Sequence, residues 1–350
     1  MKIILIGGYG YTGKIICELL EKESVQYTVA GRDAEKLKQL QLDFHSIEST
    51  FALDIRDHEQ VKRLVEEFDV ILNCAGPFTE ESASMVGLIA NSKSKIYFDI
   101  TGEIGFARSS FEQNNSIAIE NKTTLIHGCA FESLVADLAL KMSEKKLDRI
   151  KEIKTFYSFQ HSKPSPGTRI TMKLSKFRNM YRIANSVWKV IKSEEEKIPV
   201  SFEGVHFTAV AYPLPEIAFS FWNYKPESVM SYLLLSKEEA LFVGTPEQLT
   251  GTLEDELEKL KKRKTNGPVL EDRQAQQCRI IVQISDHSGK TEVLSLFGND
   301  MYLITAKCVV FSMKSFLEKG EQKFGVISPA QLFEGIEMKT LNKLGISIRD

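Results

Sequence analysis

The first part of the chain alternates short apolar runs with segments whose apolar residues recur at helical spacing. The segment 15–20 places its apolar residues on one helix face, and Asp33 stands where the N-cap of a second helix is expected. Short runs of this kind, separated by helices, are typical of an α/β fold with a Rossmann-type doubly wound parallel sheet. The predicted strands are residues 2–6, 27–30, 50–53, 70–73, 96–99 and 124–127.

The pattern changes after about residue 150, where strand-like runs follow one another without regular helices. Residues 152–161, 200–212 and 216–222 have strand character, and residues 165–197 predict a loop followed by a long helix. Residues 278–298 predict a hairpin that turns at 286–289. This pattern favours a second domain of α+β type with a mixed sheet.

Three parts of the chain are therefore expected. They are a dinucleotide-binding Rossmann domain at 1–150, an α+β substrate or dimerisation domain at 151–300, and C-terminal helices at 301–350 that pack back on the Rossmann domain. The charged segment 254–274 predicts a solvated surface helix with a Gly-Pro break. Pro329 suits the first position of a late helix.

A glycine-rich turn, GGYGYTG, joins the first predicted strand to the first predicted helix. Gly7, Gly10 and Gly13 are spaced by three, and Gly8, Gly10 and Gly13 also satisfy G-x-G-x-x-G. A pyrophosphate can rest on a helix N-terminus only where the backbone turns tightly and no side chain blocks its approach. The turn in this context therefore predicts a dinucleotide site.

The end of the second predicted strand indicates which dinucleotide is bound. In NAD-binding folds this strand usually ends in an acid that binds the ribose 2′-OH, but here it reads VAGRD, with Gly31 in that place and Arg32 next. Because a guanidinium offers a fork of donors to a phosphate, we expect NADP(H) rather than NAD(H). The alternative is that Arg32 faces solvent and Asp33 only caps the helix. Lys36 either assists Arg32 or is a surface lysine.

Composition narrows the classes of function. Lys and Arg number 45 against 47 Asp and Glu, a formal net charge of -2, so no overall field gathers nucleic acid or anionic membrane. The five cysteines show no metal-ligand spacing, and we expect reduced thiols and no metal. No apolar stretch approaches the ~20 residues of a membrane span, and a strand stands where a signal peptide would. We expect a cytoplasmic protein that acts on a small molecule.

Several quoted segments together resemble one protein family. The segments GGYGYTGK, AGRDAEKL, ILNCAGPF, YFDITGE and GCAFESLVADL occur in this order. They resemble the saccharopine dehydrogenase-like oxidoreductases, which include saccharopine reductases, imine-reducing enzymes of polyamine metabolism and trans-acting enoyl reductases. The resemblance covers roughly the first 140 residues, the Rossmann part. It also extends to GVISPAQLFEGIEMKTLNKLGI near the end and, loosely, to PSPGTRITM in the middle.

The resemblance implies a set of cofactor-binding residues. The glycine turn would hold the pyrophosphate, and NCAGPF would pass beside the ribose and nicotinamide. Asp54 would lie near the adenine, although it equally suits the start of the next helix. Together with Arg32, the implied residues are Gly7, Tyr9, Gly10, Tyr11, Thr12, Gly13, Asp54, Cys74, Ala75, Gly76, Pro77 and Phe78.

The ends of the fifth and sixth strands would face the substrate, because open α/β sheets bind ligands at this edge. The expected catalytic residues are Asp99, Glu103 and His127. The expected substrate-binding residues are Thr101, Gly102, Cys129, Phe131 and Arg169. Structural roles stay open for several of these. A buried Asp99 can orient a loop, Cys129 and His127 are of types that more often serve packing or hydrogen bonding, and Arg169 can be an exposed loop residue.

The expected activity is hydride transfer to or from a small-molecule imine or activated alkene. A YxxxK pair is missing at a suitable place, which argues against carbonyl reduction by a tyrosine. The aromatic middle region suits an apolar substrate or, with slight preference, a homodimer interface in the second domain. The alternatives are a non-catalytic NADP(H)-binding regulator or sensor and a structural partner that binds no nucleotide.

Overall fold

The structure is a computed structural model that describes residues 1–175, 178–191, 197–242, 258, 267–319, 323–333, 335 and 338–349. The chain divides into two compact units. The first unit comprises Met1–Leu134 and Tyr302–Gly335, and the second comprises Val135–Met301 and Ile336–Asp350.

Helices and strands alternate regularly up to α6. They are β1 Ile3–Ile6, α1 Tyr11–Lys22, β2 Tyr27–Gly31, α2 Ala34–Asp43, β3 Ile47–Ala52, α3 His58–Glu67, β4 Val70–Asn73, α4 Glu80–Ala90, β5 Ile96–Asp99, α5 Ile104–Glu120, β6 Thr124–Ile126 and α6 Phe131–Ser143.

Strands dominate after α6. The elements are β7 Ile150–Gln160, α7 Pro166–Ser175, β8 Met180–Ala184, β9 Val187–Ile191, β10 Lys197–Phe202, β11 Val205–Ala211, α8 Glu216–Tyr224, β12 Ser228–Leu235, α9 Lys237–Phe242, α10 Leu270–Ala275, β13 Gln277–Asp286, β14 Thr291–Gly298, α11 Met301–Glu318, β15 Gly325–Ile327, α12 Met338–Leu344 and β16 Ile346–Arg349. Single turns of 3₁₀ helix lie at Glu144–Lys146 and Pro329–Leu332.

The first unit is built on a parallel sheet of seven strands in the order β15-β6-β5-β4-β1-β2-β3. Every residue of β1, β4 and β5 is buried, which explains their unbroken apolar runs. The strand order reverses between β1 and β4, so the ligand-binding crevice of such a sheet lies beside these two strands. The predicted Rossmann-type fold is confirmed.

The second unit contains a mixed sheet of nine strands. Its main path is β10-β11-β12-β7-β13-β14-β16, and β8 pairs with β12 and β9. Strands β7 and β12 are parallel, whereas β13 and β14 form the predicted antiparallel hairpin. Its turn is fixed by Asp286, whose Oδ1 accepts hydrogen bonds from the amides of Ser288 and Lys290. The predicted α+β architecture with a mixed sheet is confirmed.

Two element predictions in the second unit were wrong. The predicted long helix within 165–197 is α7 followed by the β8–β9 hairpin, which turns at Asn185 and Ser186 with φ of 55° and 59°. Two left-handed residues match the twist of a two-residue hairpin, and Asn is well suited to such a turn. The predicted strand at 216–222 is helix α8, which begins after Pro215 and buries residues from Glu216 to Ser220. An apolar run this short fits either element.

The units divide the chain differently from the expected domain boundaries at 150 and 300. Residues 135–150 belong to the second unit, and so do residues 336–350, because β16 pairs with β14. Helix α11 and strand β15 belong mainly to the first unit. From Pro329 only a single 3₁₀ turn forms, and α12 starts later. Most of the charged segment 254–274 lies outside the described residues.

Within the described ranges, no helix combines the length and apolar character needed to cross a membrane.

Candidate dinucleotide-binding site

The glycine turn, residues 7–13, leads from β1 into α1 at the carboxyl edge of the parallel sheet. Gly7 has φ of 82°, a left-handed conformation that favours glycine, and Gly10 is the N-cap of α1. Glycine has no side chain to accept from the first-turn amides, and Tyr11, Thr12 and Gly13 bring no acid that would repel an anion. The N-terminus of α1 is therefore suited to a phosphate group.

The glycine turn is packed so closely that larger residues would not fit. A Cβ atom on Gly13 would overlap the carbonyl oxygen of Gly7 and lie 2.8 Å from Cα of Gly8. A Cβ on Gly7 would lie 3.0 Å from backbone atoms of Ala75, in the loop that follows β4. The glycines thus bring the turn against α1 on one side and against the β4 loop on the other.

An open depression of about 630 Å³ lies at the end of β2, lined by Tyr9, Arg32 and residues 33–36. The Arg32 side chain is exposed and makes no hydrogen bond or ion pair with the residues that the structure describes. Lys36 pairs with Asp33 at 3.0 Å, and Asp33 caps α2 by accepting from the Lys36 amide at 3.1 Å. Gly31 stands in place of the acid that would bind a ribose 2′-OH, and the cations Arg32 and Lys36 follow it, an arrangement that suits a ribose 2′-phosphate.

Asp54 follows β3 and is held by Arg56. The Arg56 guanidinium donates Nε to both carboxylate oxygens, at 2.9 and 3.1 Å, and the Arg56 amide donates to Oδ1. These hydrogen bonds lower the pKa of the Asp54 carboxyl to about 2. Arg32 also lies close enough to act on Asp54 electrostatically. Asp54 therefore carries a full negative charge that Arg56 largely balances.

The loop after β4 holds the segment expected beside the nicotinamide. Asn73 is buried, accepts from the Ala75 amide at 3.0 Å and donates to the Tyr97 hydroxyl at 3.0 Å. The Cys74 thiol donates to the carbonyl of Ile6 at 3.0 Å, and burial raises its pKa. Cys74 is thus an un-ionised thiol. Half-buried or exposed residues of this loop include Cys74, Ala75, Gly76 and Pro77.

Asp99 and His127 lie at the ends of β5 and β6, and both side chains are fully buried. Oδ1 of Asp99 accepts from the amides of Thr101 and Gly128 at 3.0 and 2.9 Å, and Oδ2 lies 2.6 Å from Nδ1 of His127. Nε2 of His127 lies 2.8 Å from the Ser110 hydroxyl on α5. We call these side chains, Asp99, His127 and Ser110, the Asp99 network.

Glu103, at the start of α5, connects the loops after β4 and β5. Its carboxylate accepts from the Phe78 amide at 3.3 Å, the Gly102 amide at 3.0 Å and the Thr101 hydroxyl at 2.9 Å. Phe78 and Thr101 are themselves buried. Glu103 is therefore engaged as an acceptor from three donors, in the arrangement of a group that fixes loops.

Glu132 lies in the first turn of α6, where the chain leaves the carboxyl edge of β6. The preceding residue, Phe131, donates its amide to the Thr305 hydroxyl of α11 at 3.2 Å. Glu132 is only partly exposed, and burial raises the pKa of its carboxyl group. The pKa of the Cys308 thiol is also raised, mainly by its own burial and secondly by the charge of Glu132. An acid with a raised pKa at this edge is able to hold and release a proton.

The remaining expected site residues fall into two groups. Cys129 and Phe131 are buried at 0% and 1% exposure, and Gly102 is half-buried beside Glu103. Arg169 lies in the second unit, is exposed and donates Nε to the carbonyl of Pro164 at 3.2 Å. Its contact with substrate stays a prediction.

Sequence reasoning missed several partners of the site. Tyr97 faces Asn73, Ser110 faces His127, and Thr305 comes from a helix far along the chain. Ser110 and Asn114 are one helical turn apart on the buried side of α5 and hydrogen-bonded at 3.3 Å. Polar residues on an otherwise buried helix face were the one signal available for this pair.

The residues present fit NADP(H). The uncapped N-terminus of α1 suits the pyrophosphate, and the cations at the end of β2 suit the additional phosphate. No cluster of His, Cys, Asp and Glu with metal-binding geometry occurs in the part of the chain that the structure describes.

Comparisons with known proteins agree with this site. Residues 3–125 match the family model of the saccharopine dehydrogenase NADP binding domain. A trans-acting enoyl reductase of Mycobacterium leprae is 27% identical over 141 residues, which cover 39% of this chain and 34% of that protein. A probable mitochondrial saccharopine dehydrogenase-like oxidoreductase of Arabidopsis thaliana is 27% identical over 159 residues, 41% of this chain and 35% of that protein. The match thus spans about a third of these relatives.

The fold of the chain is also similar to a solved structure. Apo saccharopine dehydrogenase (L-Glu forming) from Saccharomyces cerevisiae aligns with a TM-score of 0.58 over 99% of this chain and 98% of its own, at 13% identity. The match of residues 3–125 to the saccharopine dehydrogenase NADP binding domain confirms the predicted family resemblance and the predicted cofactor, NADP(H).

Proposed function

We propose that this protein is an NADP(H)-dependent oxidoreductase that transfers hydride to or from a small-molecule imine or activated alkene. The observation that carries the proposal is the pairing of an uncapped helix N-terminus at the glycine turn with two cations at the end of β2. Relatives named as an enoyl reductase and as a saccharopine dehydrogenase-like oxidoreductase support the reaction class.

The chain's own groups divide the work along the carboxyl edge. When bound, NADP(H) supplies the hydride chemistry. The amides of Tyr11, Thr12 and Gly13 would hold the pyrophosphate, and Arg32 with Lys36 would hold the 2′-phosphate. The loop from Ala75 to Phe78, which follows the strand next to β1, would hold the nicotinamide half.

Asp99, Glu103 and His127 act as positioning residues in this proposal, in place of the catalytic roles expected from sequence. Asp99 and His127 are fully buried. Both carboxylate oxygens of Asp99 and both ring nitrogens of His127 lie within hydrogen-bond distance of other protein groups. A group in contact with substrate needs a free lone pair or proton at the crevice. These side chains instead hold the loops after β4, β5 and β6 in one arrangement, with Thr101, Gly102 and Cys129 carried on those loops.

Glu132 is the residue we propose as the proton donor and acceptor. It lies at the carboxyl edge, is partly exposed, and has a raised pKa caused by burial. Reduction of an imine or activated alkene requires one proton for each hydride, and a carboxyl group whose pKa is raised by burial is suited to supply it. Solvent then returns the proton to the carboxylate.

The test follows NADPH consumption by its absorbance across a panel of cyclic imines and α,β-unsaturated thioesters and ketones. Turnover with one class, lost in Glu132→Gln while NADPH binding is retained, is the expected result. The matched control is Glu120→Gln, an exposed acid at the end of α5. Turnover that is unchanged in Glu132→Gln would remove Glu132 from the mechanism and leave the oxidoreductase proposal in place.

The second candidate function is a non-catalytic NADP(H)-binding sensor or regulator. The observation that favours it is that the acids expected to be catalytic, Asp99 and Glu103, are engaged in fixing loops. Tight NADPH binding without oxidation by any member of the panel would support this candidate.

We also propose a homodimer formed through the second unit. Valines on several of its strands are solvent-exposed, among them Val190 at 61% and Val205 and Val293 at 53% each. Sedimentation equilibrium of the full chain tests this proposal, and a monomer at tens of micromolar would contradict it.

A further inference from the structure

Tyr9 lies in the glycine turn, but its ring reaches the end of β2. A Cβ atom placed on Gly31 would lie 2.6 Å from Cε1 and 2.8 Å from the hydroxyl oxygen of Tyr9. Real Cβ atoms do not approach other atoms this closely, so any side chain at position 31 would displace the Tyr9 ring. The ring thus fills the space from which the acid of an NAD-binding strand would extend.

The polar end of Tyr9 is directed by the backbone of the next residue. Its hydroxyl oxygen accepts a hydrogen bond from the Arg32 amide at 3.1 Å. The hydroxyl proton is not used in any hydrogen bond with the described residues, and it lies at the depression that Arg32 and Lys36 line. The Lys36 ammonium group is 5.7 Å from the centroid of the Tyr9 ring. The Tyr9 hydroxyl therefore adds a hydrogen-bond donor to the two cations, Arg32 and Lys36, at this depression.

These observations assign Tyr9 a specific role, which rests on the NADP(H)-dependent activity proposed above. We propose that Tyr9 determines the choice of dinucleotide: its ring excludes an acidic residue at position 31, and its hydroxyl donates to the ribose 2′-phosphate. Tyr9 then works with Arg32, which supplies charge, whereas Tyr9 supplies shape and one directed hydrogen bond.

The experiment measures binding by titration calorimetry on the full chain, so it does not depend on a substrate. The probes are NADPH, NADH and the fragments 2′,5′-ADP and 5′-AMP. Tyr9→Phe keeps the ring and removes the hydroxyl. It is expected to bind NADPH and 2′,5′-ADP about 10-fold more weakly, the effect of losing a hydrogen bond to a charged group, with NADH and 5′-AMP unchanged.

The ring's role is tested by a double-mutant cycle on Tyr9→Ala and Gly31→Asp. Gly31→Asp alone is expected to lose affinity for both cofactors, because its side chain collides with the ring. Adding Tyr9→Ala is expected to restore NADH binding by at least about 10-fold relative to Gly31→Asp, a coupling that independent sites do not show. Thermal melts of each variant check that it is folded.

The outcomes separate this inference from the proposed function. If the unaltered protein binds NADPH and Tyr9→Phe binds all four probes with the same affinities as the unaltered protein, the hydroxyl has no role and the inference is overturned. Gly31→Asp gaining NADH affinity without Tyr9→Ala would overturn the role of the ring. If the unaltered protein binds neither cofactor, the proposed function fails, and this inference fails with it.

Discussion

The glycine turn and the Asp99 network lie along the same edge of one sheet but are built by opposite means. The glycine turn uses backbone amides and lacks side chains, and its charged neighbours Arg32 and Lys36 are exposed. The Asp99 network uses side chains that are fully buried and hydrogen-bonded to one another. The glycine turn leaves backbone amides available to bind a ligand, whereas the side chains of the Asp99 network form hydrogen bonds with one another. We therefore expect changes in the turn to affect binding and changes in the network to affect folding.

The largest expected effect is that of Asp99→Ala. The change removes a buried acceptor of two amide hydrogen bonds and the partner of His127. Each buried donor left without its acceptor typically costs about 1–3 kcal/mol of unfolding free energy, and two buried amides lose theirs here. Urea unfolding measures this cost, with Asp43→Ala as the control, because Asp43 is exposed on α2. A loss below about 1 kcal/mol would mean that the network does not hold these loops.

Gly13→Ala is expected to have the next largest effect on stability and to abolish tight NADPH binding. Its Cβ would overlap the Gly7 carbonyl, and forcing an extra methyl into a close-packed place typically costs about 1–3 kcal/mol. Gly87→Ala in α4 is the matched control, since its Cβ would meet only Asn114 at 3.9 Å. Alanine is the better helix former there by up to about 1 kcal/mol. Unchanged NADPH binding in Gly13→Ala would contradict the assignment of the turn.

The same contrast explains how much the sequence could predict. The glycine turn, Arg32 and the Asp33 cap could be predicted because each depends on residues that are neighbours in the sequence. Strands 70–73 and 96–99 were predicted to the residue because they are buried on both faces and form unbroken apolar runs. Edge strand β3 was predicted three residues late, since its exposed residues do not form an apolar run. The Asp99 network joins residues 99, 110 and 127, which are far apart in the sequence, so a local sequence pattern does not predict which partner the buried acid contacts.

Glu132→Gln tests a titratable group that lies at the same edge of the sheet but outside the Asp99 network. Burial raises its pKa in the folded protein, so the native state favours the protonated acid. The contribution of Glu132 to native stability is therefore highest below its unfolded pKa of about 4.3 and falls as pH rises above that value. Glu132→Gln should be more stable than the unaltered protein at pH 7 and no more stable at pH 4. Equal stability at both pH values would show that the carboxyl is well solvated.

The smallest expected effect is that of Asp54→Asn, which tests whether the cofactor end contributes to stability through charge. The Arg56 hydrogen bonds lower the pKa of Asp54 to about 2, so its contribution is present above the unfolded pKa of about 3.9 and is lost as pH falls toward 2. Since the Asp54 and Arg56 side chains are 29% and 62% exposed, solvent screening limits the effect to less than about 1 kcal/mol.

Urea unfolding at pH 5 and pH 3 should show a smaller loss of unfolding free energy on acidification in Asp54→Asn than in the unaltered protein. Lys62→Ala removes an exposed cation on α3 and should leave that loss as it is. If Asp54→Asn also leaves it unchanged, the Asp54–Arg56 pair is an orienting contact at the cofactor end without a net electrostatic contribution.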